Sequence, residues 1–283
     1  MVGDTVNTVV NLGTTVFVLS TMLAVGLDLS IGQLREAIGR HRLMTKSLLV
    51  NLVVVPILAY LLIRTIPMAP SYAAGIVLLA VAPGAPFGPK LAEISDSHLA
   101  FASGLMTVLA VVSVVTMPVS LALLLPGSVT LDPFAIGRLV FGVQLVPLLA
   151  GLAVTSLATP VADALYPPVQ RLSDYSFGLL LVILLVAYID DMVALVGTGA
   201  LAASSIAVAG SLLVGYALGG PPRSTREVLA TTTAARNAAI ALFVATTGFS
   251  DSDVLTVVLA FSFLGVVSSA LIAAMWRRRI IGG

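Results

Sequence analysis

The chain has 283 residues, of which 59% are hydrophobic and only 10% charged, against about 25% charged in a soluble domain. That composition excludes a water-soluble globular protein, and the net charge of +1 gives no electrostatic footprint for nucleic acid. The absence of cysteine excludes a disulfide framework, a thiolate metal site and a catalytic thiol.

A bilayer core is crossed by helices of about 20 mostly apolar residues. Nine stretches qualify: 5–27, 47–65, 72–95, 98–126, 134–157, 173–189, 199–219, 225–247 and 253–276. The expected fold is an all-α polytopic membrane protein in contact with the lipid bilayer. The connections are short, so residues 1–283 should pack as a single domain. The opening "MVGDTVNTVV" lacks a basic n-region and its apolar run continues, so it reads as a retained first span rather than a cleaved signal peptide.

The connection after the first span carries Arg35, Arg40, Arg42 and Lys46. Arg171, Arg223, Arg226 and the tail Arg277, Arg278 and Arg279 fall on the same side, with Arg171 expected in a loop. The opposite loops hold Asp132, Asp190, Asp191, Asp251 and Asp253. Basic loops stay cytoplasmic, so the expected location is the cell membrane, with the N-terminus outside and the C-terminus inside.

The third stretch reads "AAGIVLLAVAPGAPFGPKLAEIS". Pro83, Pro86 and Pro89 alternate with Gly84 and Gly88. Each proline lacks an N–H and clashes with the carbonyl four residues back, which would strand the carbonyls of Leu79, Ala82 and Ala85. In hydrocarbon, such groups are tolerated only when buried in protein or lining a cavity. A helix broken near the midplane is therefore expected, with free N–H groups at the start of its second half forming an anion site. Gly84 and Pro86 lie at this break, and Lys90 lies just past it, followed by Glu93 and Asp96 toward the basic side.

The eighth stretch contains "TTTAARNAAIALF", with Arg236 far from any carboxylate in the sequence. A lone arginine at a helix centre costs roughly 3 kcal/mol on insertion scales, so it must face a partner. Nothing in this stretch declares a break, because alanine and leucine are good helix formers and proline is absent. Several roles for Arg236 remain open: its five donors could satisfy the freed carbonyls of the broken helix, its planar fork could bind a substrate carboxylate, or it could snorkel to the lipid interface or pair with Glu93 or Glu227. Thr233 and Asn237 flank it. Thr107 and Ser103 on the fourth stretch could line a cavity or bond back to their own helix. Gln144, ahead of Pro147, could face a cavity or join helices. His41 and His98 read as solvated helix ends.

These motifs resemble the bile acid:sodium symporter family. The resemblance covers nearly the whole chain and rests on "VAPGAPFGP" followed by "LAFASGLMTVLAVVSVVTMP", and on "EVLATTTAARNAAIALFVA" before the last span. It implies a nine-helix form of an inverted-repeat bundle, with repeats over spans 1–4 and 5–9. Two broken helices would cross in a core, beside a panel made of spans 1, 5 and 6. It implies a symporter-like secondary transporter, in which a small organic anion binds between core and panel. Arg236, Asn237, Thr233, Gly84, Pro86, Lys90, Thr107 and Gln144 are then the candidate substrate-binding residues.

The family's co-transported sodium is another matter. The position matching its acidic ligand is Thr232 and that matching its glutamine is Arg236, while Asn237 is kept. Gly88 and Pro89 match its Ser-Asn pair, and Ala102 and Met106 match its hydroxyl ligands. Little sodium dependence is expected, and no other cofactor. A sodium-independent anion carrier or exchanger of the auxin-efflux-like type is the alternative. An intramembrane enzyme would need a nucleophile–base pair or a metal motif such as H-E-x-x-H, and the sequence has neither. An arsenite-permease-like role would call for a functional cysteine, and a channel for a charged ring.

Overall fold

A computed structural model describes residues 2–127 and 132–281. Among these residues the structure is helical throughout, without strands. Helix α1 (Val2–Asp28) leads into the short α2 (Ile31–Gly39), which is held by a capping box. Ser30 accepts from the Gln33 N–H, and the Gln33 side chain accepts from the Ser30 N–H. Helix α3 (His41–Leu49) runs through a π-turn at Val50–Val54 into α4 (Val55–Thr65). A second π-turn, Phe141–Leu145, joins α8 (Pro133–Val140) to α9 (Val146–Leu157). Each π-turn ends just ahead of a proline, Pro56 and Pro147, whose ring and missing N–H interrupt the α-helical ladder. π-Turns of this kind commonly carry functional residues, and Asn51 and Gln144 sit in these two.

Eight helical segments among the described residues are long and apolar enough to cross a membrane. The stretch expected over 72–95 is divided between α5 (Pro70–Ala80) and α6 (Gly88–Ile94). The span expected over 225–247 is also divided, into α12 (Arg223–Ala235) and α13 (Ala238–Gly248), with Arg236 and Asn237 between them. Helix propensity gave no sign of this second break. The remaining elements are α7 (Leu99–Leu124), α10 (Thr159–Ala194), α11 (Ala200–Leu218) and α14 (Ser252–Ile281).

One expectation fails at α10. The span expected over 173–189, with Arg171 in a loop before it, belongs to a helix that begins at Thr159 and carries Arg171 within it. Pro167 and Pro168 lie inside this helix, where prolines ordinarily end or kink one.

The helices form two bodies. In the panel, α1 packs along α9 and α10. The contact between α1 and α9 is so close that a Cβ on Gly26 would lie 2.2 Å from the Leu148 carbonyl oxygen. In the core, α12 is surrounded by α6, α7, α11 and α14, while α5 lies against α14. Every residue from Glu227 to Ala245 is buried. The broken helix therefore meets protein on all sides, and its freed backbone groups never face lipid.

Candidate functional site

The two breaks meet. Helix α5 ends at Ala80, and Gly84 turns the chain with φ of +87°, a conformation that glycine adopts without strain. A Cβ there would come within 3.2 Å of the Met106 carbonyl oxygen, so the turn needs glycine for space as well. Arg236 also has positive φ, +49°, which is uncommon for a non-glycine residue and costs of order 1–3 kcal/mol.

The three carbonyls stranded by the prolines all find donors. Leu79 O accepts from the Arg236 Nε–H at 3.3 Å and from the Ala82 N–H at 3.1 Å. Ala82 O accepts from the Asn237 N–H at 2.9 Å, a direct backbone bond between the two breaks. Ala85 O accepts from the Gly88 N–H at 2.9 Å. The guanidinium makes further bonds: Nη2 donates to Ala80 O and to Asn51 O, and Nη1 donates to Asn51 Oδ1 at 2.9 Å. Asn51 is oriented by its own amide, which donates to Ser47 O and to Thr233 Oγ1.

Arg236 is fully buried, and the largest such side chain in the described residues. No carboxylate pairs with it among the described ion pairs. Its charge is met by carbonyl dipoles at the C-terminal end of α5, where the helix macrodipole is negative. The neighbouring hydroxyls turn away. Thr231 and Thr232 donate to carbonyls of their own helix, Glu227 O and Val228 O, and Thr107 donates to Ser103 O. Glu227, the acid nearest in sequence, is engaged by Arg223 and Ser97.

A cavity of about 620 Å³ opens between panel and core on the side of the basic α1–α3 connection. Phe17, Phe87 and Phe177 form part of its wall, with ring centroids 5.1 Å apart for Phe17–Phe177 and for Phe87–Phe177. Thr21 and Ser173 share a hydrogen bond of 2.7 Å there. The titratable lining is Asp28, Lys90, Glu93, Tyr166 and Asp174. Lys90 is paired with Glu93 at 2.8 Å, and Gln170 donates to Asp174 at 2.8 Å.

The candidate residues therefore separate. Pro86 and Lys90 line this cavity, as does Ser103. Arg236, Asn237, Thr233, Gly84, Thr107 and Gln144 do not. Arg236, Asn237, Thr233 and Gly84 build the crossover. Gln144 is buried where panel meets core: its amide donates to Ala110 O and Ser113 Oγ, both at 2.7 Å, and its Oε1 accepts from Asn237 Nδ2 at 3.0 Å. Sequence reasoning missed Asn51, although a lone amide in the run "LLVNLVVVPIL" was a readable signal. It also missed the phenylalanine wall, because phenylalanine in an apolar span carries no distinguishing mark.

The model of the sodium bile acid symporter family matches residues 15–195. That stretch takes in the first break and the cavity-lining face of α10. Among curated relatives, the probable sodium/metabolite cotransporter BASS3, chloroplastic, of Oryza sativa subsp. japonica is 29% identical over 146 residues, covering 52% of this chain and 34% of that protein. The probable sodium/metabolite cotransporter BASS1, chloroplastic, of Arabidopsis thaliana is 31% identical over 132 residues, covering 46% of this chain and 33% of that protein. The chain thus spans about a third of the length of the curated relatives it matches. With more than half of its residues matched by the family model, on a fold whose core holds two broken helices that meet, the chain belongs to the sodium bile acid symporter family.

Proposed function

We propose that the chain is a secondary carrier for a small organic solute that works by alternating access without sodium, with its core moving against its panel and no catalytic step. One observation carries this reading: the guanidinium of Arg236 occupies the crossover and uses the carbonyls and the Asn51 amide oxygen that a bound cation would need. A sodium ion beside it would face a fixed like charge in a low dielectric. The positions that would otherwise offer oxygen ligands are Gly88, Pro89, Ala102 and Met106, and the hydroxyl of Thr232 is turned to its own helix. The residues present do not fit the ion.

An organic anion, the solute class the resemblance implies, would meet one cation in the cavity, and Lys90 is already paired with Glu93. The sodium-independent carrier or exchanger is therefore favoured over the sodium symporter. Localisation in the cell membrane, with the N-terminus outside, follows from the loop charges and would place the cavity mouth at the cytoplasmic face.

The test is thermal stability in sodium chloride against potassium chloride at equal ionic strength. A bound ion stabilises by RT ln(1 + [L]/Kd), about 2.7 kcal/mol at a hundredfold excess over Kd. The expected melting temperatures coincide. A sodium-specific rise of several degrees would show that carbonyls and threonines rebuild an ion site around the arginine, and would reject the proposal.

A further inference from the structure

The cavity between panel and core has a lining of two kinds, and their combination selects a solute. This step rests on the carrier reading above and concerns the same cavity. One part of the wall is aromatic: Phe17 and Phe177 from the panel, and Phe87 from the first break. The other part is charged. Asp28 comes from α1, Glu93 and Lys90 from α6, and Asp174 from α10; three carboxylates and one ammonium leave two negative charges unbalanced. Tyr166 is the remaining titratable group, and it is neutral at pH 7. Arg236 adds no positive charge to this lining, because its donors are directed to Leu79, Ala80 and Asn51. Arg40, between α2 and α3, is engaged with Glu36 and His98.

Low-dielectric walls focus the field of the charges that line a cleft. A cation entering beside Asp28 and Asp174 is attracted, and phenylalanine faces add to that attraction. A carboxylate or sulfonate meets repulsion, with only the paired Lys90 to offset it. We infer that the cavity takes a solute carrying a cationic nitrogen on an apolar or aromatic body, with the nitrogen between Asp28 and Asp174 and the body against Phe17, Phe87 and Phe177. The charge preference is opposite to the one the resemblance implies.

The chain has no cysteine, so a single Val25→Cys, one turn from Asp28 on the cavity wall, reports the local potential. Its modification by trimethylammonium-ethyl and by sulfonato-ethyl methanethiosulfonate, normalised to a free thiol, should favour the cationic reagent by about tenfold or more. Asp28→Asn with Asp174→Asn should bring the ratio near unity. Three solutes of one shape then compete for the cavity: 3-phenylpropylammonium, 3-phenylpropanol and 3-phenylpropanoate. The ammonium should protect the cysteine, and the carboxylate should not. A reagent ratio at or below one, protection by the carboxylate in preference to the ammonium, or protection by none of the three overturns the inference. Protection by the ammonium in a protein that moves none of the three across proteoliposomes would reject the carrier reading and leave the charge selection standing.

Discussion

Arg236→Ala removes the guanidinium from the crossover. Four hydrogen bonds disappear, to Leu79 O, Ala80 O, Asn51 O and Asn51 Oδ1. Bonds to charged groups contribute about 1.5–3 kcal/mol each, which sums to about 6–12 kcal/mol. Against this stands the cost of holding an unpaired cation away from water, several kcal/mol even after relaxation. Two effects moderate the loss. Leu79 O keeps the Ala82 N–H, and water can enter a polar void the size of a guanidinium. The bonds outweigh the desolvation, so the alanine variant should lose about 2–5 kcal/mol of stability.

Circular dichroism at 222 nm in detergent suits the measurement, because a cysteine-free chain gives thiol-reactive melting dyes nothing to report. Arg236→Lys separates charge from geometry. The ammonium keeps the charge but cannot reach Ala80 O and both oxygens of Asn51 with a planar fork, so the lysine variant should melt between wild type and alanine. An alanine variant as stable as wild type, or more stable, would refute the reasoning. It would mean that the buried charge costs more than its bonds return, and that the crossover holds without it.

Two further outcomes are expected. Cysteine at Ser250 should react with an impermeant thiol reagent applied outside the cell and cysteine at Ser224 should not; the reverse pattern would reject the orientation drawn from the loop charges. Gln144→Leu removes the amide that joins the panel to Ala110, Ser113 and Asn237, outside the cavity lining. It should loosen that seam and slow modification of Val25→Cys several-fold as the cavity mouth closes more often, and an unchanged rate would show that Gln144 only fastens helices.

Some of this architecture was legible in the sequence because local chemistry forced it. Three prolines at fixed spacing named the carbonyls that would need new partners, and Leu79, Ala82 and Ala85 found them. A lone arginine in an apolar run announced that something polar must face it. The second break was not legible, because Ala234, Ala235, Ala238 and Ala239 would continue a helix happily by propensity. The break is imposed from outside, by Asn51 and the α5 carbonyls that draw the Arg236 side chain and by the Asn237 N–H bonded to Ala82 O. The cavity was hidden for a related reason. Tyr166, Gln170, Ser173, Asp174 and Phe177 form one face of α10, at the helical spacing of a continuous segment. Pro167 and Pro168 made the first half of that segment look like a loop. Long amphipathic context prevailed over the local proline signal.

A tethered cation changes what can drive transport. A sodium ion that enters with the solute and leaves with it delivers the sodium gradient to each cycle, whereas Arg236 is covalently part of the chain and cannot leave with a solute. The carrier proposed above then has only the solute's own gradient and the membrane potential as driving forces. The potential acts on net charge, at about 2.3 kcal/mol per elementary charge per 100 mV. For a monovalent cation with the interior negative this corresponds to accumulation of about 50-fold, and for a monovalent anion it drives expulsion by the same factor. The acid-lined cavity and the immobile guanidinium are therefore consistent with each other. On the proposed reading, a carrier without sodium can still concentrate a solute inward, provided that the solute is positive, and the charges at Asp28 and Asp174 favour that sign.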